Sequence, residues 1–365
     1  MIASRPAIIK GVCATVLALV VLQLGWAYWD GQSLSSLPFR HTQHGPTKEH
    51  EEVLNVVCHG NPKCFPSRRS FSHFSVANST EFCREFVSEP IQPPPRLATV
   101  TAHFGNPQRH YQRALGTHVL HNAVQGTKLH VLSTKLIDDL WNKPAFLLEL
   151  LLLEMEKPAS ERLEWMFWVD RDTIILDNCR SPLSFLPAPL PRNNETEIDP
   201  ADDIHFLATK DWNGLNNGVF LMRVDRWNID LFTAILAHRY YRPEADLPFT
   251  EQSAMELLLN EPKFRDGVVW APQYWFNTYP RSLEKEDFRP TKLDPTAQGY
   301  HARRGDFLVH FAGRGQRDQA MAPWLNISEA ATTGWATEPK ERTLDSDMAE
   351  FWQKWRASKT TVISP

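Results

Sequence analysis

Short apolar runs and longer helical patterns alternate in the middle of the chain. LATVTAHF, from Leu97, predicts a strand, and residues Tyr111 to Val124 have helical spacing up to a stop at Gly126. KLHVLS predicts a second strand, WNKPAFLLELLLLEME a helix with Pro144 in its first turn, and EWMFWV a third strand. This alternation indicates an α/β fold with a parallel sheet.

The same kinds of pattern continue toward the C-terminus. IHFLAT, GVFLMR and FLVHFA predict further strands, whereas RWNIDLFTAILAHR and TEQSAMELLLNE predict amphipathic helices. In the last residues only a short helix around Met348 to Trp355 is predicted. We therefore expect one α/β domain over residues 97–331, followed by a C-terminal extension over residues 332–365.

The N-terminal part has a different pattern. Residues 11–29 carry no charge and, at about 1.5 Å per residue, could cross most of a hydrocarbon core of about 30 Å. Because Arg5 and Lys10 precede them, we predict a cytoplasmic tail over residues 1–10 and an uncleaved signal anchor, with a cleaved signal peptide as the alternative. Residues 30–96, rich in Ser, Pro and His, predict a lumenal stem of which parts could fold.

The composition is that of an ordinary globular protein. The chain is 42% hydrophobic with a formal net charge of -4, and its lysines and arginines are scattered. It therefore lacks the basic patch of a nucleic-acid-binding protein, and we expect no nucleic-acid partner.

Cysteines and glycosylation sequons fit a location outside the cytosol. An oxidising compartment would allow two disulfides among the four cysteines beyond the apolar segment, with Cys58 and Cys64 as the nearest pair and the connectivity open. The four are Cys58, Cys64, Cys83 and Cys179. The sequons begin at Asn78, Asn194 and Asn326.

Two carboxylates follow the third predicted strand. In FWVDRDTIILDN, Asp170 and Asp172 come where ligands bind in open α/β sheets, at the carboxyl end of a strand. Mg²⁺ and Mn²⁺ take carboxylate and phosphate oxygens as ligands, so a nucleotide diphosphate fits this pair. In the alternative interpretation Asp170 caps a turn and Asp172 pairs with Arg171 or another base.

A second polar cluster lies in LATKDWNGLNNGVFLMRVDRW, residues 207–227. Its amides and glycines could present hydrogen-bonding groups to the hydroxyls of a sugar, or could form a simple hairpin, since Asn-Gly favours a turn. These residues are Asp211, Asn213, Gly214, Asn216, Asn217 and Gly218.

A third candidate for a binding site is the segment DFLVHFAGRGQRD. His310 lies inside an apolar strand, where it is either a core residue or the ligand that completes a metal shell. Arg314 and Arg317 follow in a glycine-rich loop and suit a diphosphate.

Four blocks in this order resemble glycosyltransferase family 34, the galactosyltransferase and mannosyltransferase family that also includes plant xylosyltransferases. They are FWVDRDTIILDN, GLNNGVFLMRVDRW, TEQSAMELL and LVHFAG. The resemblance covers residues 97–313. It implies a GT-A (Rossmann-like) fold, retaining and metal-dependent transfer of a hexose from a nucleotide sugar, and residence in the Golgi as a type II membrane protein.

The resemblance also assigns roles to residues. Mn²⁺ (or Mg²⁺) is expected on Asp170, Asp172 and His310. The catalytic positions are Glu251, Gln252 and Asn216. Donor contacts are expected from Lys143, Asp170, Arg171, Asp172, Asn217, Gly313, Arg314 and Arg317. The chain departs from the family pattern at Asn217 (usually Thr), Val219 (usually Ser) and Gly315, where plant members carry a basic residue.

The expected partners are a nucleotide sugar, such as GDP-mannose or UDP-galactose, and a glycan acceptor. An alternative is an inactive, membrane-anchored relative that acts as a subunit or lectin-like scaffold in a complex with other glycosyltransferases. A phosphatase of the haloacid dehalogenase type is a weaker alternative, suggested by VDRDTI but not by the position of Asp170 after two strands and two helices.

Overall fold

The computed structural model describes residues 55–61, 64, 73–84, 96–190, 199–281, 300–303, 305–330 and 344–361. The predicted cytoplasmic tail and signal anchor, and most of the predicted stem, lie outside these residues. Among the helices within them, none combines the length and the apolar character that crossing a bilayer requires.

The described residues form strands and helices close to the predicted ones. The strands are β1 Val56–His59, β2 Leu97–Ala102, β3 Lys128–Leu132, β4 Trp165–Val169, β5 Thr173–Ile175, β6 Phe206–Asp211, β7 Gly214–Arg223, β8 Val268–Ala271 and β9 Leu308–His310. The helices are α1 His73–Arg84, α2 Arg109–Gln125, α3 Asn142–Met155, α4 Arg226–Tyr241, α5 Glu251–Leu259, α6 Arg317–Ala330 and α7 Leu344–Thr361. As predicted, Gly126 ends α2, with a left-handed φ of 67°.

Seven strands form one sheet in the order β1-β3-β2-β4-β7-β6-β8, and β5 pairs with β9 in a small second sheet. Neighbouring strands from β1 to β4 are parallel, which confirms the predicted α/β fold. Strand β7 is antiparallel to both of its neighbours, β4 and β6. Because it runs in reverse, β7 brings its first residues to the edge where β4 ends.

The register between β6 and β7 is irregular. From Leu207 to Thr209, β6 advances two residues, whereas its partner β7 advances five, from Leu221 back to Asn216. The extra residues form a bulge in β7, and such bulges often re-aim side chains beside functional sites. This bulge contains Asn217 and Gly218.

The folded domain begins earlier than residue 97, where we expected it to start. Strand β1 lies in the predicted stem, yet it pairs with β3 at the edge of the main sheet. The expected Cys58–Cys64 disulfide is confirmed, and Cys83 in α1 forms a second disulfide with Cys179. Part of the stem is therefore built into the domain.

Apolar side chains cover both faces of the main sheet. One face packs against helices α3, α4 and α5 around Phe146, Phe220 and Phe232. The other face packs around Trp275, and α7 closes it with Trp352. The short C-terminal helix predicted at residues 348–355 is thus longer than expected and belongs to the core.

Candidate active site

A cleft of about 1240 Å³ opens where β4 ends and β7 begins. All the residues to which the family resemblance assigned a role line it. They are Lys143, Asp170, Arg171, Asp172, Asn216, Asn217, Glu251, Gln252, His310, Gly313, Arg314 and Arg317. The fold thus brings together segments that are up to 174 positions apart in the sequence, from Lys143 to Arg317.

A tight turn after β4 positions the two aspartates. The carbonyl of Asp170 accepts hydrogen bonds from the Thr173 amide (3.2 Å) and hydroxyl (2.7 Å), so the chain bends between Asp170 and Asp172. Thr173 then starts β5, where it is paired with His310 of β9. This small sheet is why a histidine far along the sequence lies beside the aspartates.

Asp170, Asp172 and His310 can each offer one ligand atom, and these atoms lie within 4.8 Å of one another. One carboxylate oxygen of Asp172 is 3.5 Å from His310 Nε2, and the other accepts a 2.8 Å hydrogen bond from Arg317 Nε. Burial would raise the pKa of the Asp172 carboxyl, but the hydrogen bond and charge of His310 and the charge of Arg317 hold that pKa well below its usual range. Asp172 is therefore an anion.

The tautomer of His310 suits a metal ligand. Its Nδ1 lies 2.8 Å from Oδ1 of Asn277, whose Nδ2 donates to Thr209 Oγ1 at 2.9 Å. An amide oxygen can only accept, so Nδ1 of His310 donates to it, and Nε2, which faces Asp172, is the ring nitrogen left to bind a cation. Two carboxylates and an imidazole nitrogen can all serve as donors to a divalent metal ion. The residues present fit a divalent cation.

Gly218 makes room for the imidazole ring. A Cβ added at this glycine would lie 2.8 Å from Nε2 of His310 and 3.0 Å from Nδ1. Its carbonyl also accepts a 2.8 Å hydrogen bond from the Asp170 amide. Gly218 thus fixes the end of β4 and the position of His310 together.

Lys143 is a buried cation between the two acidic groups of the cleft. Its Nζ lies 3.1 Å from Asp170 and 3.4 Å from Glu251, and the side chain is only 8% exposed. Burial lowers the pKa of this amine, but the charges of Asp170 and Glu251 outweigh burial, so the net pKa is raised. Lys143 therefore stays charged.

Asn217 joins Lys143 to Glu251. Its side-chain oxygen accepts a hydrogen bond from Lys143 at 2.9 Å, and its amide nitrogen donates to Glu251 at 3.3 Å. The other Glu251 oxygen accepts from the hydroxyl of Thr250, a residue with a left-handed φ of 51°. Although Asn217 departs from the usual Thr, its amide supplies both the acceptor and the donor that this cluster uses.

Asn216 belongs to a different hydrogen-bond network. Its Nδ2 donates to Asp211 Oδ2 at 3.0 Å and to the hydroxyl of Tyr279, which in turn donates to Asp211. Burial and the neighbouring Asp211 raise the pKa of Tyr279 far above its usual value, so the phenol stays protonated. The hairpin alternative for this segment is confirmed by the pairing of Asp211 with Gly214, and the same hairpin lines the cleft.

The predicted cationic residues surround the aspartates in different ways. Arg171 is exposed and packs over the ring of Tyr111 at 4.3 Å. Arg314 donates to the carbonyl of Pro280 at 3.1 Å, and Gly313 before it has a left-handed φ of 64°. Arg317 was expected in a glycine-rich loop but is the first residue of helix α6.

Several residues of the site could not be predicted from the sequence. Asn277 and Tyr279 lie in YWFNTYP, a segment with neither metal-ligand spacing nor a turn signal, and Trp212 was seen only as part of a polar loop. The only available signal was Asn277 between aromatic residues, where a polar side chain needs a buried partner.

Residues 108–320 match the family described as galactosyl transferase GMA12/MNN10. The chain belongs to this family. The resemblance drawn from four short blocks is thereby confirmed over more than half of the sequence. The matched region includes every residue that the sequence analysis assigned to a site.

Individual GMA12/MNN10 family members are distant from this chain. An uncharacterized alpha-1,2-galactosyltransferase of Schizosaccharomyces pombe is 28% identical over 198 residues, 47% of this chain and 52% of that protein. A probable alpha-1,6-mannosyltransferase of Saccharomyces cerevisiae, MNN10, is 26% identical over 41% of each chain. Xyloglucan 6-xylosyltransferase 4 of Arabidopsis thaliana is 27% identical over 47% of this chain and 34% of that protein. The match therefore spans about half of these relatives or less.

Among solved structures, the chain is similar to a glycosyltransferase involved in the glycosylation of the major capsid of PBCV-1. That match has a TM-score of 0.44 and 14% sequence identity, and it covers 63% of this chain and 100% of the other.

Proposed function

We propose that this protein is a retaining, Mn²⁺-dependent hexosyltransferase with a GT-A fold, which moves mannose or galactose from a nucleotide sugar to a glycan. The observation that carries the proposal is the cluster of Asp170, Asp172 and His310 in a large cleft of a GMA12/MNN10 family member. The two disulfides agree with folding in the secretory pathway. We accordingly propose a type II Golgi membrane protein, with residues 11–29 as the anchor.

The cation would be held by Asp170, Asp172 and His310. When bound, it would neutralise charge on the diphosphate of the donor. The chain adds its own positive charge on the same side, because Arg317 and Arg314 line the cleft next to Asp172. A guanidinium can bind phosphate oxygens in a bidentate manner and would stabilise the leaving nucleotide.

We favour front-face transfer over a covalent intermediate. In the front-face route the acceptor oxygen bonds to the anomeric carbon while the bond from that carbon to the phosphate oxygen breaks. The hydroxyl proton passes to the departing phosphate. The step therefore needs no protein base, and the chain has to hold two substrates and exclude water.

The surroundings of Glu251 support this choice. A nucleophile has to reach the anomeric carbon, yet Glu251 is only 2% exposed. Its two oxygens are occupied by Lys143, Asn217 and Thr250. We therefore assign Glu251 a positioning role, in which it orients Lys143 and Asn217 beneath the donor sugar.

The test is release of free nucleotide by the full-length protein in detergent. GDP-mannose, UDP-galactose and UDP-xylose would be offered with α-mannoside acceptors, with Mn²⁺ or with a chelator. We expect Mn²⁺-dependent release from one donor, lost in Asp172→Asn and in His310→Ala. Asp266→Asn is the matched control, since it makes the same change on a side chain that is 82% exposed.

Two outcomes would contradict the proposal. If the folded protein neither turns over nor binds any donor with Mn²⁺, the scaffold alternative replaces the transferase. If intact-mass spectrometry of the wild type with donor shows a glycosyl adduct on Glu251, the front-face route is wrong.

A further inference from the structure

Trp212 is largely exposed within the part of the chain that the structure describes. It lies at the tip of the β6–β7 hairpin, at the wall of the cleft, and 68% of its surface is accessible. Large aromatic side chains normally contribute apolar area to a core or to an interface. An exposed aromatic ring that faces a substrate cleft therefore indicates a surface on which a ligand packs.

The hairpin holds Trp212 in place. Asp211 accepts a 2.7 Å hydrogen bond from the Asn213 amide, which closes the turn around Trp212. On the far side, the Leu215 amide donates to Glu256 at 3.0 Å, and Gly214 has a left-handed φ of 99°. The indole is therefore presented by a rigid turn, and little conformational entropy would be lost on binding.

Trp212 forms an aromatic wall together with Tyr279 and Tyr300. The centroid of its ring lies 5.2 Å from that of Tyr279 and 5.4 Å from that of Tyr300, with both tyrosines edge-on. Tyr279 in turn lies 6.1 Å from the ring of His310. Tyr279 therefore lies between Trp212 and the proposed metal site.

The groups around the aromatic wall suit a pyranose ring. The C–H face of a sugar packs on a flat aromatic surface, while its edge carries hydroxyls that need polar partners. Asp211, Asn213 and Asn216 line the cleft beside Trp212 and offer a carboxylate and two amides. An aromatic face bordered by such groups recognises a carbohydrate better than a purely apolar ligand.

The nucleoside of the donor has a better place at the opposite end of the cleft. Phe104, Lys135 and Tyr111 line that end, just beyond β2 and β3 or at the start of α2. Nucleotides bind outside the carboxyl ends of parallel strands. With the diphosphate near Asp170 and Asp172, the aromatic wall lies beyond the donor sugar, on the acceptor side.

We infer that the aromatic wall binds the second sugar of the acceptor, so that the enzyme selects an oligosaccharide over a single sugar. This inference rests on the proposed function. The reacting sugar would lie near Asn216 and Gln252, and the next sugar would pack on Trp212.

The test compares methyl α-mannoside with an α-linked methyl mannobioside as acceptors for the full-length protein. In Trp212→Ala we expect the KM for the disaccharide to rise about tenfold, a loss of about 1.4 kcal/mol. The KM for the monosaccharide should rise by much less than this, and Trp212→Phe should recover part of the loss. Tyr241→Ala is the control, because Tyr241 is 81% exposed and lies outside the cleft lining.

Saturation-transfer NMR of the mannobioside on the same variants separates this inference from the proposed function. If the wild type turns over no donor but binds the mannobioside in a Trp212-dependent way, the transferase is wrong and the sugar site stands. An unchanged disaccharide KM in Trp212→Ala overturns the inference. An equal loss of donor binding overturns it as well, because the aromatic wall would then hold the nucleoside.

Discussion

Gly218 is the residue on which the metal site depends most directly, although it contributes no side chain. A methyl group there would overlap the His310 ring, which cannot retreat because Nδ1 is hydrogen-bonded to Asn277. We expect Gly218→Ala to weaken Mn²⁺ binding by roughly 10- to 100-fold, the range seen when the groups that orient a metal ligand are lost. Isothermal titration with Mn²⁺ measures this.

Gly315→Ala is the matched control for that change. Among the described residues, a Cβ at Gly315 would meet no heavy atom within 4 Å. Its Mn²⁺ affinity should equal that of the wild type, and equal affinity in Gly218→Ala would show that His310 does not bind the cation.

At the scale of secondary structure, the two disulfides should differ in their effect on stability. Cys83–Cys179 links residues 96 positions apart, whereas Cys58–Cys64 links residues six apart. Loop entropy predicts that replacing the long-range pair with serines costs roughly 4–5 kcal/mol in the free energy of unfolding, against about 2.2 kcal/mol for the short-range pair. Urea unfolding of the two double-serine variants measures the difference, and equal losses would contradict it.

Strands and helices with strong periodicity could be predicted from the sequence, and those stabilised by tertiary contacts could not. Helix α3 carries its own pattern of leucines and β4 its own apolar run. In contrast, β5 is three residues long and exists because β9 pairs with it. Helix α7 was predicted only as a short helix around Met348 to Trp355, since only a few of its side chains, such as Trp352, are buried against the sheet.

The same distinction holds for the site. Asp170, Asp172 and His310 could be predicted as candidates, because the aspartates follow an apolar strand in an α/β pattern and all three lie in blocks that resemble a known family. Asn277 and Tyr279 could not, since their roles depend on contacts with residues far along the chain, Thr209 and Asp211. The antiparallel direction of β7 could not be predicted either, because an apolar run does not show its direction in a sheet.

At the scale of the whole molecule, buried histidines should make stability depend on pH. Burial lowers the pKa of His59 and His103 to about 4, and that of His118 and His130 to about 3, from 6.5. Because these pKa values are lower in the folded state than in the unfolded state, the neutral histidines contribute their full stabilisation above pH 6.5. It is lost as the pH falls toward 4, by about 1.4 kcal/mol per pH unit for each histidine.

One buried carboxyl acts in the opposite direction. Burial raises the pKa of Asp306 to about 6, so its contribution is complete below pH 4 and is lost as the pH rises through 6. Because four histidines outweigh one aspartate, we expect the protein to lose stability as the pH is lowered from 6.5 to 5. The urea concentration at the unfolding midpoint should decrease over that range. His130→Asn should reduce that slope, and a midpoint independent of pH in this range would contradict the prediction.

The bulge in β7 has a consequence for engineering. Its register shift gives three consecutive residues separate surroundings: Asn216 faces Asp211 and Tyr279, Asn217 faces Lys143 and Glu251, and Gly218 faces His310. In a regular strand, side chains would simply alternate between two faces. A mutant library at Asn216 could therefore change the acceptor without altering the ion pairs around Asn217. Its variants should keep a side-chain acceptor, because the Gly218 amide donates a 3.0 Å hydrogen bond to Asn216 Oδ1.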